Sequence, residues 1–257
     1  REHLDGEAIR QKMKYWEEKL NGHKPLELAT DFSRPLQHST KGNTIEFTLD
    51  AQLTESIQDL ASKKGVTPFM VMVAAFKVML YRYTGQEDFC VGTGIANRRQ
   101  EEIEGLIGFF VNMLVLRSDL SGNPSFDTYL QQIKTTTLDA YTMQAVPFEL
   151  VVDHIEKDRD LSRSPLFQVA FVLQNTPDLP ALQLGDLEME VVPFEVHTSK
   201  YDFTYTLVDN DGEMLIQVEY CTDLFLAETM ERMLANFSTI LQAAIDNSKA
   251  SINELSL

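Results

Sequence analysis

The sequence is short of cationic charge. Only 22 Lys and Arg stand against 39 Asp and Glu in 257 residues, giving a formal net charge of −17 and a pI of about 4.6. Such a field repels a phosphate backbone and an anionic bilayer, so neither nucleic acid nor a membrane is an expected partner. Long apolar runs are missing as well. The most apolar stretch, Val66 to Tyr81, is interrupted by Pro68 and Lys77 and is too short to cross a bilayer. Cysteine is limited to Cys90 and Cys221, both in apolar, strand-like stretches without CxxC spacing. They read as buried thiols in a reducing, cytoplasmic compartment rather than a disulfide. The histidines are His3, His23, His38, His154 and His197, no two within ten residues and with no HExxH or HxH, so no metal site is expected. Neither a GxSxG elbow nor a GxxxxGK[ST] loop occurs, which removes the simplest hydrolase and NTPase readings.

What is present describes an ordinary globular protein. Hydrophobic residues make up 44% and charged residues 24%, and the length suits one large domain or two small ones. Ile9, Met13, Trp16 and Leu20 place a helix over 3–21, and a polar, proline-containing connection follows over about 22–42. A strand over 45–49 precedes a helix over 51–64 that ends at Gly65. Thr67-Pro68 then supplies an N-cap and a first-turn proline for a helix reaching about Tyr83, apolar on most sides and therefore placed in the core. Strands are expected at 88–94, 109–117, 166–174, 187–194, 201–209 and 213–220, and helices at 125–141, 147–156 and 224–246. Asp209-Asn210-Asp211-Gly212 signals a hairpin, and the stretch around 175–186 reads as an exposed excursion. Interleaved strands and helices predict a layered α/β domain with a mixed sheet.

Reactive groups are hard to single out from residue chemistry. Gly92-Thr-Gly94 is a tight strand exit rather than a dinucleotide fingerprint. Glu101/Glu102 and Asp158/Asp160 sit in polar surroundings that suit solvated faces, and His154 lies on the polar side of a short helix. His197, at a strand entry before Thr-Ser-Lys, is a candidate for facing a cavity.

Three longer segments stand out: Ile107-Gly-Phe-Phe-Val-Asn-Met-Leu-Val-Leu-Arg117, Gln144-Ala-Val-Pro-Phe-Glu-Leu-Val-Val-Asp153 and Arg159-Asp-Leu-Ser-Arg-Ser-Pro-Leu-Phe-Gln-Val169. In this order and spacing they resemble the downstream core motifs of nonribosomal peptide synthetase condensation domains. Tyr15-Trp16 with Leu20-Asn-Gly22, Val91-Gly-Thr-Gly-Ile-Ala-Asn-Arg98, Lys200-Tyr-Asp-Phe-Thr204 and Ile252-Asn-Glu-Leu-Ser-Leu257 extend the resemblance over essentially the whole chain. Met143 and Ser164 depart from the family's usual His and Asn. The resemblance implies a chloramphenicol-acetyltransferase-like lobe with a mixed sheet flanked by helices. It also implies the downstream lobe alone, residues 1–257, since the catalytic HHxxxDG motif belongs to the upstream lobe and this sequence has no His-His pair. The Arg1 start and the acidic charge fit an excised piece.

By resemblance, the complete domain joins an acyl or peptidyl thioester to the amine of an aminoacyl thioester. Each is tethered by a phosphopantetheine arm, which acts as part of the substrate and not as a bound cofactor. Expected partners are the upstream lobe, peptidyl carrier proteins and adjacent synthetase domains. This lobe is expected to form a tunnel wall, a floor near 95–110, a latch-like crossover near 175–200 and part of the acceptor carrier surface, and to be inactive alone. Arg98 is expected to pair with the Asp of the missing HHxxxDG motif. Gly108, Asn112 and His197 are candidates to line the tunnel, although a buried Asn112 amide equally suits a role securing the sheet edge. Ile107, Phe109, Val111, Leu114 and Leu116 are expected as core strand positions, with Gly108 allowing close backbone approach. Phe110, Val111, Pro147, Phe148, Glu149, Arg159, Asp160, Arg163, Pro165 and Asp202 are expected as scaffold. Pro147 starts a helix, Phe148 anchors it, and Arg159, Asp160 and Arg163 form a local ion-pair network. The alternatives are another acyltransferase, an epimerisation or heterocyclisation relative, and a non-catalytic module that binds carrier proteins.

Overall fold

The computed structural model describes residues 6–98, 102, 106–174, 183–184, 187–188, 196–210 and 213–256. Local signals account for most element boundaries. Helix α1 (Gly6–Leu20) buries Trp16 and Leu20 on one side. After β1 (Gly42–Leu49), the Asp50 carboxylate accepts the Leu53 amide 2.8 Å away to start α2 (Ala51–Lys64), and Gly65 ends it at φ 63°. Thr67 Oγ1 accepts the Met70 amide at 3.2 Å, and Pro68 opens α3 (Pro68–Thr84). Every residue of α3 from Phe69 to Leu80 is buried, so the expected core helix is the core helix. Then come β2 (Asp88–Ile95), β3 (Asn112–Asp119), α4 (Phe126–Thr142), α5 (Phe148–Ile155) and β4 (Val169–Gln174). A two-residue ladder of β5 (Gln183–Leu184) and β6 (Leu187–Glu188) precedes β7 (Phe203–Asn210), β8 (Glu213–Cys221) and α6 (Ala227–Asp246).

Among the described residues, six strands form one mixed sheet in the order β1-β8-β7-β4-β2-β3. The central β7, β4 and β2 run parallel and the flanking pairs antiparallel. Phe76 of α3 sits at the centre of the packing, with ring centroids 4.9 Å from both Phe171 and Tyr205 and 6.5 Å from Phe237 of α6. Strand alternation divides the two faces of β3. Ser118 turns toward α3, where Lys77 reaches it, and Arg117 turns the other way, donating to Lys19 O at 3.1 Å and Asn21 O at 2.7 Å behind α1. Helices therefore lie on both sides of this end of the sheet, as expected for a layered α/β fold.

The polar connection over 22–42 is a strap tied across the body. Leu26 N donates to Gln168 Oε1 at 2.7 Å, and Arg34 grips the buried Asp202 carboxylate through two bonds of 2.9 and 2.5 Å. Asp31 accepts from Leu226 N at 2.9 Å and from Thr229 Oγ1 at 3.0 Å. It thereby caps α6, whose own N-cap residue, Leu226, has no side chain able to do so.

One expected strand is displaced. The strand expected over 109–117 runs instead over Asn112–Asp119, because its partner β2 ends at Ile95, opposite Asn112. Ile107, Phe109 and Val111 are not core positions: they are 105, 90 and 52% exposed, while Leu114 and Leu116 are buried as expected. A strand expected over 187–194 is described only as the short β6, since 189–195 lie outside the described residues. Most of the excursion at 175–186 and the crossover at 175–200 also lies outside them, as does the Asp211-Gly212 turn. The hairpin itself is present, with Asn210 opposite Glu213 in an antiparallel pair. Cys90 and Cys221 are free and buried, and burial pushes the Cys90 thiol up to about 12.

Candidate functional site

The carboxyl ends of the central strands open onto a cavity of about 570 Å³. Ile95 of β2, Leu173 of β4 and Leu207 of β7 form its floor, and the start of α3, with Phe69 and Met72, forms a wall. Open α/β sheets place ligands in this position, beyond the carboxyl ends of parallel strands. Polar side chains share the lining: the buried Thr54 and Thr93, and the more exposed Gln58, Asn97, Arg98 and Gln144 toward the mouth.

Arg98 reaches the mouth by a specific backbone route. β2 stops at Ile95, and Asn97 adopts the left-handed φ of 53°, which turns the chain. The Arg98 guanidinium then lies 4.2 Å from the centroid of the Phe110 ring, a cation–π contact in the segment before β3. A Cβ on Gly108 would come within 2.9 Å of the same ring, so the close approach that Gly108 permits is to a side chain and not to backbone.

Asn112 holds this region together. Its Nδ2 donates to Gln144 O at 3.0 Å and to Val146 O at 2.9 Å, and its Oδ1 accepts the Phe148 amide at 2.9 Å. A single buried amide thus ties the first residue of β3 to the turn between α4 and α5, on the same turn as the cavity-lining Gln144. Of the two roles open to Asn112, these bonds are those of a group that secures the edge strand. Pro147 precedes the first residue of α5, Glu149 lies in its first turn, and the Phe148 ring packs 5.4 Å from that of Phe167. Phe167 in turn fills the space beside Gly92, where a Cβ would fall 2.2 Å from the ring.

The third motif and Asp202 sit at the opposite, amino ends of β4 and β7. Arg163 bridges Glu27 at 2.8 Å and Asp160 at 3.0 Å, whereas Arg159 pairs with Asp153. The expected network is therefore two networks, with Arg159 outside that of Asp160 and Arg163. Ser162 donates its hydroxyl and its amide to Asp160, which holds that carboxyl below the usual range. Pro165 precedes Leu166, a buried residue at φ 64°, and both border a second cavity of about 430 Å³. Asp202 is fully buried against Arg34, and that bond raises the Arg34 guanidinium above its ordinary value. His197 is exposed and its carbonyl accepts the Gly42 amide at 2.9 Å; His154 is also exposed, 3.5 Å from Glu17.

Of the expected site residues, the structure brings Arg98, Gly108, Phe110 and Asn112 to the end of the sheet that carries the large cavity. It places Arg159, Asp160, Arg163, Pro165 and Asp202 at the other end. Two features were missed in the sequence, the apolar cavity itself and Lys77. Lys77 is fully buried, donating to Leu116 O at 2.5 Å and Ser118 Oγ at 2.9 Å. A cation inside an otherwise apolar helix was the signal for it.

The fold is a layered α/β arrangement around a mixed sheet, and comparison with known proteins narrows the class. The profile of the condensation domain matches residues 1–257. A linear gramicidin synthase polypeptide of Brevibacillus parabrevis is 42% identical over 260 residues, covering 100% of this chain and 5% of that protein. Chondramide synthase of Chondromyces crocatus is 40% identical over 97% of this chain and 6% of its own length. The chain thus spans about a twentieth of these curated relatives. Among solved structures, the X-domain from teicoplanin biosynthesis superposes with a TM-score of 0.90 at 25% identity, covering 99% of this chain and 59% of that one. A four-domain nonribosomal peptide synthetase bound to AMP and glycine superposes at 0.87 with 21% identity, over 98% of this chain and 20% of that one, a likeness of fold. The chain belongs to the condensation-domain family of nonribosomal peptide synthetases.

Proposed function

We propose that this chain is the downstream lobe of a domain that forms amide bonds in nonribosomal peptide synthesis. The amine of an aminoacyl thioester attacks the carbonyl of an acyl or peptidyl thioester, each brought on the phosphopantetheine arm of a carrier protein. The amide bond forms, the donor thioester bond breaks, and the donor arm leaves as a thiol. The positioning His belongs to the HHxxxDG motif of the upstream lobe, and this lobe by itself forms no amide, because its sequence has no His-His pair. Its contributions are one wall of the substrate tunnel, a floor near 95–110, a crossover near 175–200 and part of the surface that receives the acceptor carrier. The setting is a cytoplasmic synthetase with adjacent domains on the same chain.

The observation that carries this reading is Arg98, held on Phe110 at the mouth of the large cavity. In the complete domain Arg98 pairs with the HHxxxDG aspartate across the lobe boundary. A guanidinium suits this task because it presents a rigid fork to a carboxylate. The exposed Ile107 and Phe109 beside it give that boundary an apolar surface. Gly108 and Asn112 support the tunnel end of the sheet, whereas His197, beside Gly42 at the amino end of β7, lies away from the large cavity. In the complete domain, Arg98→Ala should lower amide formation about 100-fold, the loss typical of misplaced positioning groups, with Arg98→Lys recovering only part of it. Unchanged turnover in Arg98→Ala refutes the pairing.

A second reading has one observation behind it. The X-domain shares this fold, and a structure of the X-domain with OxyB from teicoplanin biosynthesis superposes on this chain with a TM-score of 0.88 at 25% identity. A lobe of this kind that binds a protein without catalysing is the alternative. A tight carrier-protein complex without amide formation by the complete domain supports it.

A further inference from the structure

We infer that the cavity of about 570 Å³ at the carboxyl ends of β2, β4 and β7 is a specificity pocket that takes an uncharged apolar group of one of the two substrates. This rests on the amide-forming reading and adds the class of group that the lobe selects.

The walls of the cavity are side chains withdrawn from solvent. Met72 and Leu207 are 0% exposed, Ile57 is 2%, Phe69 is 5% and Met214 is 8%. Protein interiors fill such space to high density, and a hollow lined by apolar groups loses dispersion contacts until a guest fills it. The volume falls within the range of small-molecule pockets, roughly 300–1,000 Å³. Among the described lining residues there is no carboxylate, and the single charged group is Arg98, whose guanidinium is engaged on Phe110 at the mouth. A cationic side chain meets Arg98 and no counter-ion, and an anionic one meets a single cation, Arg98, beside an otherwise uncharged lining. An aliphatic or aromatic group gains by burial. Its polar attachment, a carbonyl or amide, would lie at the mouth among Gln58, Asn97 and Gln144. Two side chains set the room available. Leu173 rises from the end of β4 on one side, and Met214 enters at the start of β8 on the other. The apolar group is the side chain of the acceptor or the acyl chain of the donor, two sources of one chemistry.

The experiment uses the complete condensation domain with two loaded carrier proteins, and products are counted by mass spectrometry. In one arm, alanyl and leucyl acceptors compete for one donor. In the other, acetyl and octanoyl donors compete for one acceptor. Leu173→Trp fills the pocket and should shift the product ratio at least about tenfold toward the smaller group in one arm only, the scale expected for steric discrimination in an apolar pocket. Met214→Ala should shift the same arm the other way. The arm that moves identifies the source. Unchanged ratios in both arms with both variants overturn the proposal while leaving amide formation intact. A wild-type domain that forms no amide in any pairing overturns the parent reading instead. The pocket is then judged, as it is for an inactive variant, by adding S-octanoyl pantetheine to the wild-type domain. Shifts of the Met72 and Met214 methyl resonances support it, and their absence overturns it.

Discussion

Replacing Lys77 by Met should stabilise the protein. The Lys77 ammonium is fully buried on α3, with no ion pair to a carboxylate among the described residues. It donates to Leu116 O and Ser118 Oγ and lies 5.3 Å from the centroid of the Phe89 ring. Burial is the main cause that lowers its pKa from 10.5 to about 7. The difference corresponds to about 5 kcal/mol of folding free energy lost when the buried group is charged. Above 10.5 neither state holds the proton. Between 10.5 and 7 the unfolded chain binds it and the folded chain does not, so the contribution of Lys77 falls as pH falls. Below about 7 both states are charged and the cost is fully present. Methionine has nearly the same shape and no charge. It also forfeits two hydrogen bonds, each worth about 1 kcal/mol, which leaves a net gain of about 3 kcal/mol at pH 7, within the range seen when buried charges give way to apolar groups. Urea unfolding of wild type and Lys77→Met at pH 7, 8, 9 and 10 reads this directly. The variant's advantage should shrink steadily with pH, because only the wild type's unfolded state carries over this range a Lys77 proton that its folded state has shed. Tyr15 and Tyr201, each pushed up to about 12 by burial, titrate in both proteins and cancel in the difference, and Cys90, whose thiol feels the Lys77 charge, is pushed up to about 12 and stays protonated at pH 7 to 10. A variant less stable than wild type at pH 7, with parallel curves, would refute the reasoning.

Other perturbations have equally definite outcomes. Asn112→Ala removes three hydrogen bonds and strands the Phe148 amide, so thermal unfolding should report a loss of about 2–4 kcal/mol; a loss under about 0.5 kcal/mol contradicts the clamp. Asp202→Ala leaves the Arg34 guanidinium buried without its carboxylate and should cost about 3–5 kcal/mol in urea unfolding, against near-neutrality if the pair is incidental. Gly92→Ala pushes a methyl into the Phe167 ring, with a cost of about 1–3 kcal/mol, and Phe167→Ala in the same chain should relieve the clash. The chain alone should self-associate at high concentration through its exposed Ile107 and Phe109. Ile107→Ser with Phe109→Ser should return it to monomer by light scattering, and a monomeric wild type speaks against the apolar boundary.

Features set by neighbours in sequence were the legible ones. The Thr67 cap, Pro68, Gly65 and the apolar faces of α1 and α3 follow from signals a few residues long. The buried Asn112 amide announced that it needed partners, but the partners lie on the turn after α4, which no local pattern specifies. The segment 107–111 was misread because an apolar run looks the same whether it fills a core or meets another surface. Only the end of β2 at Ile95 decides where β3 begins. Asp31 capping α6 and Arg34 meeting Asp202 join residues far apart in sequence and were illegible for the same reason. The cavity forms where residues of four strands and three helices meet, so its lining residues carry no shared motif. Arg98 was marked by resemblance, and its position over Phe110 emerged only with the fold.

Amide formation measured side by side tests the central claim most directly. Two carrier proteins, one loaded with an acyl group and one with an aminoacyl group, are incubated with this chain and, separately, with the complete domain in which an HHxxxDG lobe precedes it. Mass spectrometry of the acceptor carrier should show the amide product with the complete domain and none above background with the chain alone. Product from the 257 residues by themselves, or none from the complete domain while its carriers remain bound, would contradict the claim.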